Sequence, residues 1–115
     1  MIAGVHNFTI DQGATWNRTV EFQNPDETPY NLTGYTARMQ IRRETTSSTV
    51  LMSLTTENGR ITLGGALGTI ALSLTDELTA TIPYDGVYDL EIVSGSGEVY
   101  RVIKGTIRLN PEVTR

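Results

Sequence analysis

Apolar and polar residues alternate with a period of two along most of this chain. In the segment TWNRTVEF, the residues Trp16, Val20 and Phe22 share one face, and the opposite face is polar throughout. Arg18 alone interrupts the apolar face. Successive side chains of a strand point to opposite sides, so this spacing is typical of a strand with one buried face.

Four later segments repeat the spacing and predict further strands. Their apolar positions are Ala37, Met39 and Ile41; Val50, Met52 and Leu54; Ile70, Leu72 and Leu74; and Tyr88, Leu90 and Ile92. The run VYRVIKGTIRL predicts a last long strand or a pair of strands, and Gly105 within it is a candidate for a β-bulge. The chain is therefore predicted to be predominantly β.

Glycine-containing turns separate these predicted strands. Asn58-Gly59 lies between two apolar runs, which is a strong signal of a tight β-hairpin because both residue types tolerate positive φ. The segments GGALG and SGSGE each indicate a further turn between strands. Short strands separated by frequent turns favour a β-sandwich.

One segment, TDELTATIP, departs from the β pattern. Thr75 is a suitable N-cap, Asp76 and Glu77 would lie in the first helical turn, and Pro83 would end the helix. The segment predicts one short helix near residues 75–82.

Together these elements predict an all-β fold. We expect residues 1–115 to form a single immunoglobulin-like β-sandwich domain of about 7–8 antiparallel strands with the one short helix. The immunoglobulin-like arrangement depends on Tyr88, which follows the helical corner and precedes the inward-facing Leu90 by two residues. That is the position of a tyrosine corner, whose hydroxyl bonds to backbone upstream. The alternative is an ordinary strand tyrosine.

Charge and cysteine content exclude several classes of function. The net charge of −4 argues against a nucleic-acid ligand, because binding to phosphates depends on a basic surface. The chain has no cysteine, so disulfides and thiolate metal sites are excluded.

The first residues have neither the charged nor the apolar segment of a signal peptide or membrane span, so we expect synthesis in a cytoplasm and no membrane partner.

Few residues suit catalysis or metal binding. His6 is the only histidine, and nothing at a recognisable spacing pairs it with a nucleophile. Asp85, Asp89 and Glu91 could form a calcium site or a glycosidase pair, but strand alternation favours a solvated outward face for the last two. We therefore expect no enzymatic activity, no metal and no cofactor.

Aromatic side chains offer a second kind of candidate site. Tyr30, Tyr35 and Tyr84 fall in predicted turns, where exposed rings could stack against sugars. Tyrosines at strand ends are commonly packing residues whose hydroxyls reach water, which is the alternative interpretation.

A row of arginines is the remaining candidate, as a protein–protein interface. Arg38, Gln40 and Arg42 stand two residues apart on the outward face of one predicted strand, and Arg43 follows at its end. Positive charges so spaced repel one another unless acids lie nearby. Acids that could pair with them within the domain are Glu21, Asp89 and Glu91. The alternative is an acidic partner protein, and arginine is enriched in such interfaces.

Three segments carry a resemblance to a known family. QGATWNRTVEF, YNLTGYTARMQIRR and the run from LTTENGR to NPEVTR at residues 54–115 are similar to small virion proteins encoded among the tail genes of tailed bacteriophages and prophages. The resemblance covers nearly the whole chain. The LTG turn followed by an alternating strand also resembles the N-terminal immunoglobulin-like domain of phage baseplate upper proteins. Asn31 stands where aspartate is usual, and either side chain can form this turn.

The resemblance implies a structural role in a phage particle. It predicts a non-enzymatic tail or baseplate adaptor, or a tail-fibre or tailspike attachment protein, made in the host bacterial cytoplasm and found in the virion. Its partners would be other virion proteins in a symmetric multi-copy assembly. A capsid decoration protein and a carbohydrate-binding host-attachment module are the alternative functions.

Overall fold

A computed structural model describes residues 4–114, so the first three residues and the last residue of the predicted domain lie outside the described part. Within it there are nine strands: β1 (Gly4–Val5), β2 (Phe8–Asp11), β3 (Trp16–Glu21), β4 (Thr36–Arg42), β5 (Met52–Thr55), β6 (Ile61–Leu63), β7 (Thr69–Leu74), β8 (Gly86–Val93) and β9 (Val99–Asn110). A helix α1 spans Asp76–Ala80, and a single 3₁₀ turn spans Gly65–Leu67.

The strands form two sheets, which confirms the all-β prediction. The larger sheet has the order β1-β9-β8-β4-β5, with β2 also beside β9, and the smaller sheet has the order β3-β7-β6. Most neighbours are antiparallel, as expected, but β1 and β2 both run parallel to β9. The sequence does not distinguish this parallel pairing from a hairpin, because alternation shows which residues share a face and not which strand lies alongside.

The predicted apolar faces meet between the two sheets in one hydrophobic core. Met39 on β4 and Leu90 on β8 are opposite one another in the larger sheet, and Leu72 on β7 belongs to the smaller one. All three side chains are almost fully buried. The alternation that predicted these strands therefore also identified the residues that hold the sheets together.

The turn that leads into β4 has the predicted form. The side chain of Asn31 accepts a hydrogen bond from the backbone N–H of Thr33 at 3.0 Å, and Gly34 has a φ of +83°. Leu32 is buried within the turn. This anchored turn fixes where β4 begins, and with it the direction of every side chain on that strand.

Helix α1 matches its prediction but is shorter than residues 75–82. Thr75 is the N-cap, and its hydroxyl accepts a hydrogen bond from the backbone N–H of Leu78. The buried Thr79 hydroxyl donates to the carbonyl of Ala14 at 2.8 Å and accepts from the N–H of Gly13 at 3.0 Å. Thr79 thus joins the helix to the connection between β2 and β3.

The hairpin predicted at Asn58-Gly59 is wrong. The strands on either side, β5 and β6, belong to different sheets, so this segment carries the chain from one sheet to the other. Gly59 has a φ of +78°, but Asn58 does not adopt positive φ. Instead the Asn58 side-chain oxygen accepts hydrogen bonds from the N–H groups of Thr55 and Arg60. The side chain satisfies the backbone on both sides of the corner, which a two-residue hairpin would not require.

The bulge predicted at Gly105 is also wrong. Gly105 keeps regular register opposite Tyr88, and the irregularity lies at Val102, where Leu90 pairs with Ile103 but Glu91 pairs with Arg101. Gly105 has a different reason to be glycine. A Cβ there would clash with the His6 carbonyl oxygen, because the chain passes directly over it between β1 and β2.

Tyr88 makes the predicted hydrogen bond to backbone upstream, but the bond does not close a local corner at the start of β8. Its hydroxyl donates to a backbone carbonyl, but that carbonyl belongs to His6, in the connection between β1 and β2. The ring is buried in the core, and this burial raises the pKa of the hydroxyl. Tyr88 thus fastens the amino-terminal segment to the larger sheet.

Arg18, the one interruption in the apolar face of β3, lies at the exposed edge of the smaller sheet. Its guanidinium carbon is 5.4 Å from the centroid of the Trp16 ring, and one guanidinium nitrogen donates to the Asn17 carbonyl at 2.7 Å. A charged side chain on an edge strand opposes pairing with a further chain.

Gly68 lies where two loops pass close to each other at one end of the sandwich, so replacing it tests how tightly these loops pack. Its φ is +69°, and a Cβ would lie 2.6 Å from the Phe22 carbonyl oxygen and 2.9 Å from the Tyr30 nitrogen. Gly59 has a similar φ, but no other group would lie within 4 Å of a Cβ at that position. We expect Gly68→Ala to cost about 1–3 kcal/mol more than Gly59→Ala in urea denaturation, because only Gly68→Ala adds a steric clash to the backbone strain. Equal costs would show that the loops can separate freely.

Candidate functional site: the outer face of the larger sheet

The outer face of the larger sheet, the side that points away from the smaller sheet, collects much of the positive charge of this acidic protein. Five of the eight lysine and arginine residues among residues 4–114 lie there. The residues that define the face are Arg38, Gln40 and Arg42 on β4; Val87, Asp89 and Glu91 on β8; and Arg101, Lys104, Thr106 and Arg108 on β9.

Arg38 is paired within the domain. Its Nε lies 2.9 Å from Oε1 of Glu91, directly across the β4–β8 ladder. Glu91 is one of the three acids that the sequence suggests as partners of the arginine row. Glu21, another of the three, lies on the smaller sheet and cannot pair with it. Both side chains are partly exposed, so the pair contributes little to stability and mainly fixes the direction of the guanidinium.

Gln40 and Arg42 continue the same row along β4. One guanidinium nitrogen of Arg42 donates to the Gln40 side-chain oxygen at 2.8 Å, and the other donates to the Ser47 carbonyl at 2.8 Å. Arg42 is half-buried, whereas Gln40 is exposed. Three of the four predicted interface residues therefore form one continuous row.

Arg43, the fourth predicted interface residue, lies apart from this row. It follows the end of β4, and its guanidinium carbon is 4.4 Å from the centroid of the Tyr84 ring. The two residues border a separate surface hollow of about 510 Å³ beside Pro83 and Pro111. The sequence could place Arg43 next to Arg42 but could not show that the strand ends between them.

A shallow hollow of about 560 Å³ opens on the outer face, and we call it the outer-face hollow. It lies along the first half of β8, where Val87 and Asp89 are lining residues. Long side chains flank it on both neighbouring strands. Those side chains are Gln40 and Arg42 on β4 and Arg101 and Lys104 on β9, and the remaining lining includes Val5, Asn7, Thr45, Gly105 and Thr106.

Sequence reasoning missed Arg101 and Lys104. An odd-numbered and an even-numbered residue of one regular strand point to opposite faces, so simple alternation separates them. The irregularity at Val102 shifts the phase of β9, which brings both side chains to the outer face. A short apolar pair, Val102 and Ile103, between the two basic residues is the only signal of this shift in the sequence.

The acids proposed for calcium binding or glycosidase chemistry have other partners. Asp85 accepts a hydrogen bond from the backbone N–H of Leu109 at 2.7 Å, and Asp89 lies 3.4 Å from Nε of Arg101. Glu91 binds Arg38. Among residues 4–114 no group of three or more histidine, cysteine or acidic side chains is positioned to hold a metal ion. His6 is exposed, and its ring packs 4.7 Å from that of Phe8.

The three tyrosines proposed as a sugar platform do not come together. The Tyr30 and Tyr35 hydroxyls share a hydrogen bond of 2.9 Å, whereas Tyr84 lies beyond the opposite end of β4. The Tyr35 hydrogen bond, with burial, raises the pKa of Tyr30 to about 12. The ring centroids of Tyr30 and Phe22 are 4.8 Å apart. Tyr30 and Tyr35 are therefore part of the packing between loops.

Comparison of the chain with protein-family models and with curated proteins finds no match in either set. In the described residues, no helix has the length and apolar character needed to span a membrane.

Proposed function

We propose that this protein is a non-enzymatic structural component of a tailed-phage virion, a tail or baseplate adaptor or a tail-fibre or tailspike attachment protein. The observation that supports it most is the outer face of the larger sheet, where basic side chains gather on a rigid scaffold in an otherwise acidic protein. The partners would be other virion proteins, in a symmetric assembly of several copies.

The preorganised row on β4 favours a protein interface on this face. Arg38 and Arg42 are each fixed by hydrogen bonds of 2.8–2.9 Å to neighbouring groups. Side chains that are already ordered lose less conformational entropy when a partner binds. Arginine is also enriched in interfaces because its planar guanidinium can bind carboxylates through two hydrogen bonds.

The connectivity of the strands supports an immunoglobulin-like arrangement, which we infer for the domain. The smaller sheet β3-β7-β6 and the series β9-β8-β4 follow the order of the two sheets in immunoglobulin domains, and β5 extends the second sheet as in variable-type domains. This agrees with the resemblance of the LTG segment to baseplate upper proteins. Such a sandwich offers a broad sheet face for contact with a neighbour.

A capsid decoration protein could use the same face, so the decisive experiment is to locate the chain in the particle. We expect quantitative mass spectrometry of purified phage, separated into tails and capsids, to find the chain in the tail fraction at several copies per particle. Recovery with capsids would favour decoration. Absence from both fractions, with the protein present in the lysate, would refute a virion role.

A further inference from the structure

We propose that the outer-face hollow binds a short acidic segment of a partner protein, in which an apolar side chain lies between carboxylates. This deepens the proposed function and rests on it for the identity of the partner as a virion protein. The chemistry of the hollow itself comes from the residues that line it.

Positive charge on both flanks is the first feature that selects such a segment. Arg42 reaches the hollow from β4, and Arg101 and Lys104 reach it from β9. Carboxylates of an extended segment lying along β8 would therefore meet a cation on either side. Asp89, the only acid among the described lining residues, already lies 3.4 Å from Arg101.

Lys104 is the basic residue most available to a ligand. Within residues 4–114 it makes no ion pair or side-chain hydrogen bond, and its side chain is exposed. Arg42 differs, because hydrogen bonds to Gln40 and Ser47 hold it in place. The hollow thus combines an ordered guanidinium with an unpaired ammonium, so a carboxylate could bind Lys104 without breaking an existing contact.

The hollow also has apolar lining residues, which adds the second requirement. Val87 lies on the middle strand, and Val5, on β1 beyond β9, contributes an aliphatic side chain that is 71% exposed. Thr106, which lies opposite Val87, is small, so the surface of β9 is low beside Val87. Burying an aliphatic or aromatic group here removes apolar surface from water on both partners.

Acidic side chains on the same face make a nucleic acid a poor ligand. Asp89 and Glu91 stand in the middle strand between the basic rows, and the whole chain carries a net charge of −4. A phosphate backbone needs a continuous basic track. A peptide can place its few carboxylates beside Arg42 and Lys104 and its apolar group beside Val87.

The test is a titration of the ¹⁵N-labelled protein with the blocked peptide Glu-Ser-Leu-Ser-Glu, whose two glutamates and leucine share one face of an extended chain, followed by NMR. We expect amide shifts concentrated at Val87, Lys104 and Thr106, and weaker binding at high salt. Glutamine in place of both glutamates, or serine in place of leucine, should each weaken binding by about tenfold.

Two variants on β9 provide a matched comparison. Lys104→Glu should weaken binding of the peptide by about tenfold, because it opposes a carboxylate to a carboxylate. Arg108→Glu makes the same charge change on the same strand and face but outside the hollow, and should change binding by less than about twofold. Lys104→Gln should fall between them and serves if Lys104→Glu does not fold.

Three results of these titrations would contradict the proposed peptide site. Absence of binding, equal losses in Lys104→Glu and Arg108→Glu, or equal binding of an oligothymidylate would overturn the inference. If the peptide does not bind while the chain is found in phage tails, the inference fails and the proposed function stands. If the peptide binds but the chain is absent from particles, the proposed function fails and the acidic-peptide site stands.

Discussion

Met39→Ala is expected to lower the free energy of unfolding by about 2–5 kcal/mol, through lost burial and the cavity left behind. Met39 is 1% exposed and lies at the middle of β4, opposite Leu54 on β5 and Leu90 on β8. Neighbouring strands on both sides limit how far the site can collapse. Urea denaturation of the wild type and the variant measures the difference.

Gln40→Ala is the matched control. Gln40 is the next residue of the same strand but points outward, where it accepts one hydrogen bond from Arg42. Its removal should change stability by less than about 1 kcal/mol. Similar losses for the two variants would mean that the alternation along β4 does not separate core from surface, and the two-sheet arrangement would have to be reconsidered.

The sequence predicts most of this core because burial has a local signature. Each of the segments around Met39, Leu72 and Leu90 alternates, and each supplies buried residues to one core. Thr75 likewise carries a local helix signal, since an N-cap acts within one turn. Features determined by residues close together in the chain could therefore be read from the sequence.

Features determined by distant parts of the chain could not be read in this way. A side chain at Gly105 would clash with the backbone of His6, almost a hundred residues away in the chain. Asn58 lies where the chain crosses from one sheet to the other, although the apolar runs on either side of it resemble those of a hairpin. The same limit applies to the candidate site. Lys104 and Arg101 share a face only because of a shift in the β8–β9 register, so the sequence identified half of the outer face and missed the half across β8.

The Arg38–Glu91 pair makes the predicted interface testable in a way that the sequence alone did not allow. The pair means that Arg38 could simply balance its own sheet. A single Arg38→Glu substitution would not distinguish the two roles, because it opposes two carboxylates across β4 and β8 and should itself cost up to about 1 kcal/mol.

Exchanging the two residues, Arg38→Glu together with Glu91→Arg, separates the roles. The exchange restores an ion pair and leaves both the net charge and the charge of the outer face unchanged. Arg101 lies across from position 91, but Asp89 at 3.4 Å offsets part of the added positive charge. We therefore expect a free energy of unfolding within about 1 kcal/mol of the wild type.

Assembly should respond very differently if Arg38 contacts an acid of a neighbouring virion protein. The exchange puts a carboxylate at position 38, opposite the acid of the neighbouring protein, and this repulsion costs several kcal/mol. The total charge of the outer face stays the same, so the loss would come from this one contact. In a phage lacking the gene, we expect the exchanged protein to restore infectious particles at a yield at least about tenfold below that of the wild-type protein. A normal melt with a normal yield would assign Arg38 to balancing its own sheet, and would leave Arg42, Arg101 and Lys104 around the outer-face hollow as the basic residues of the interface.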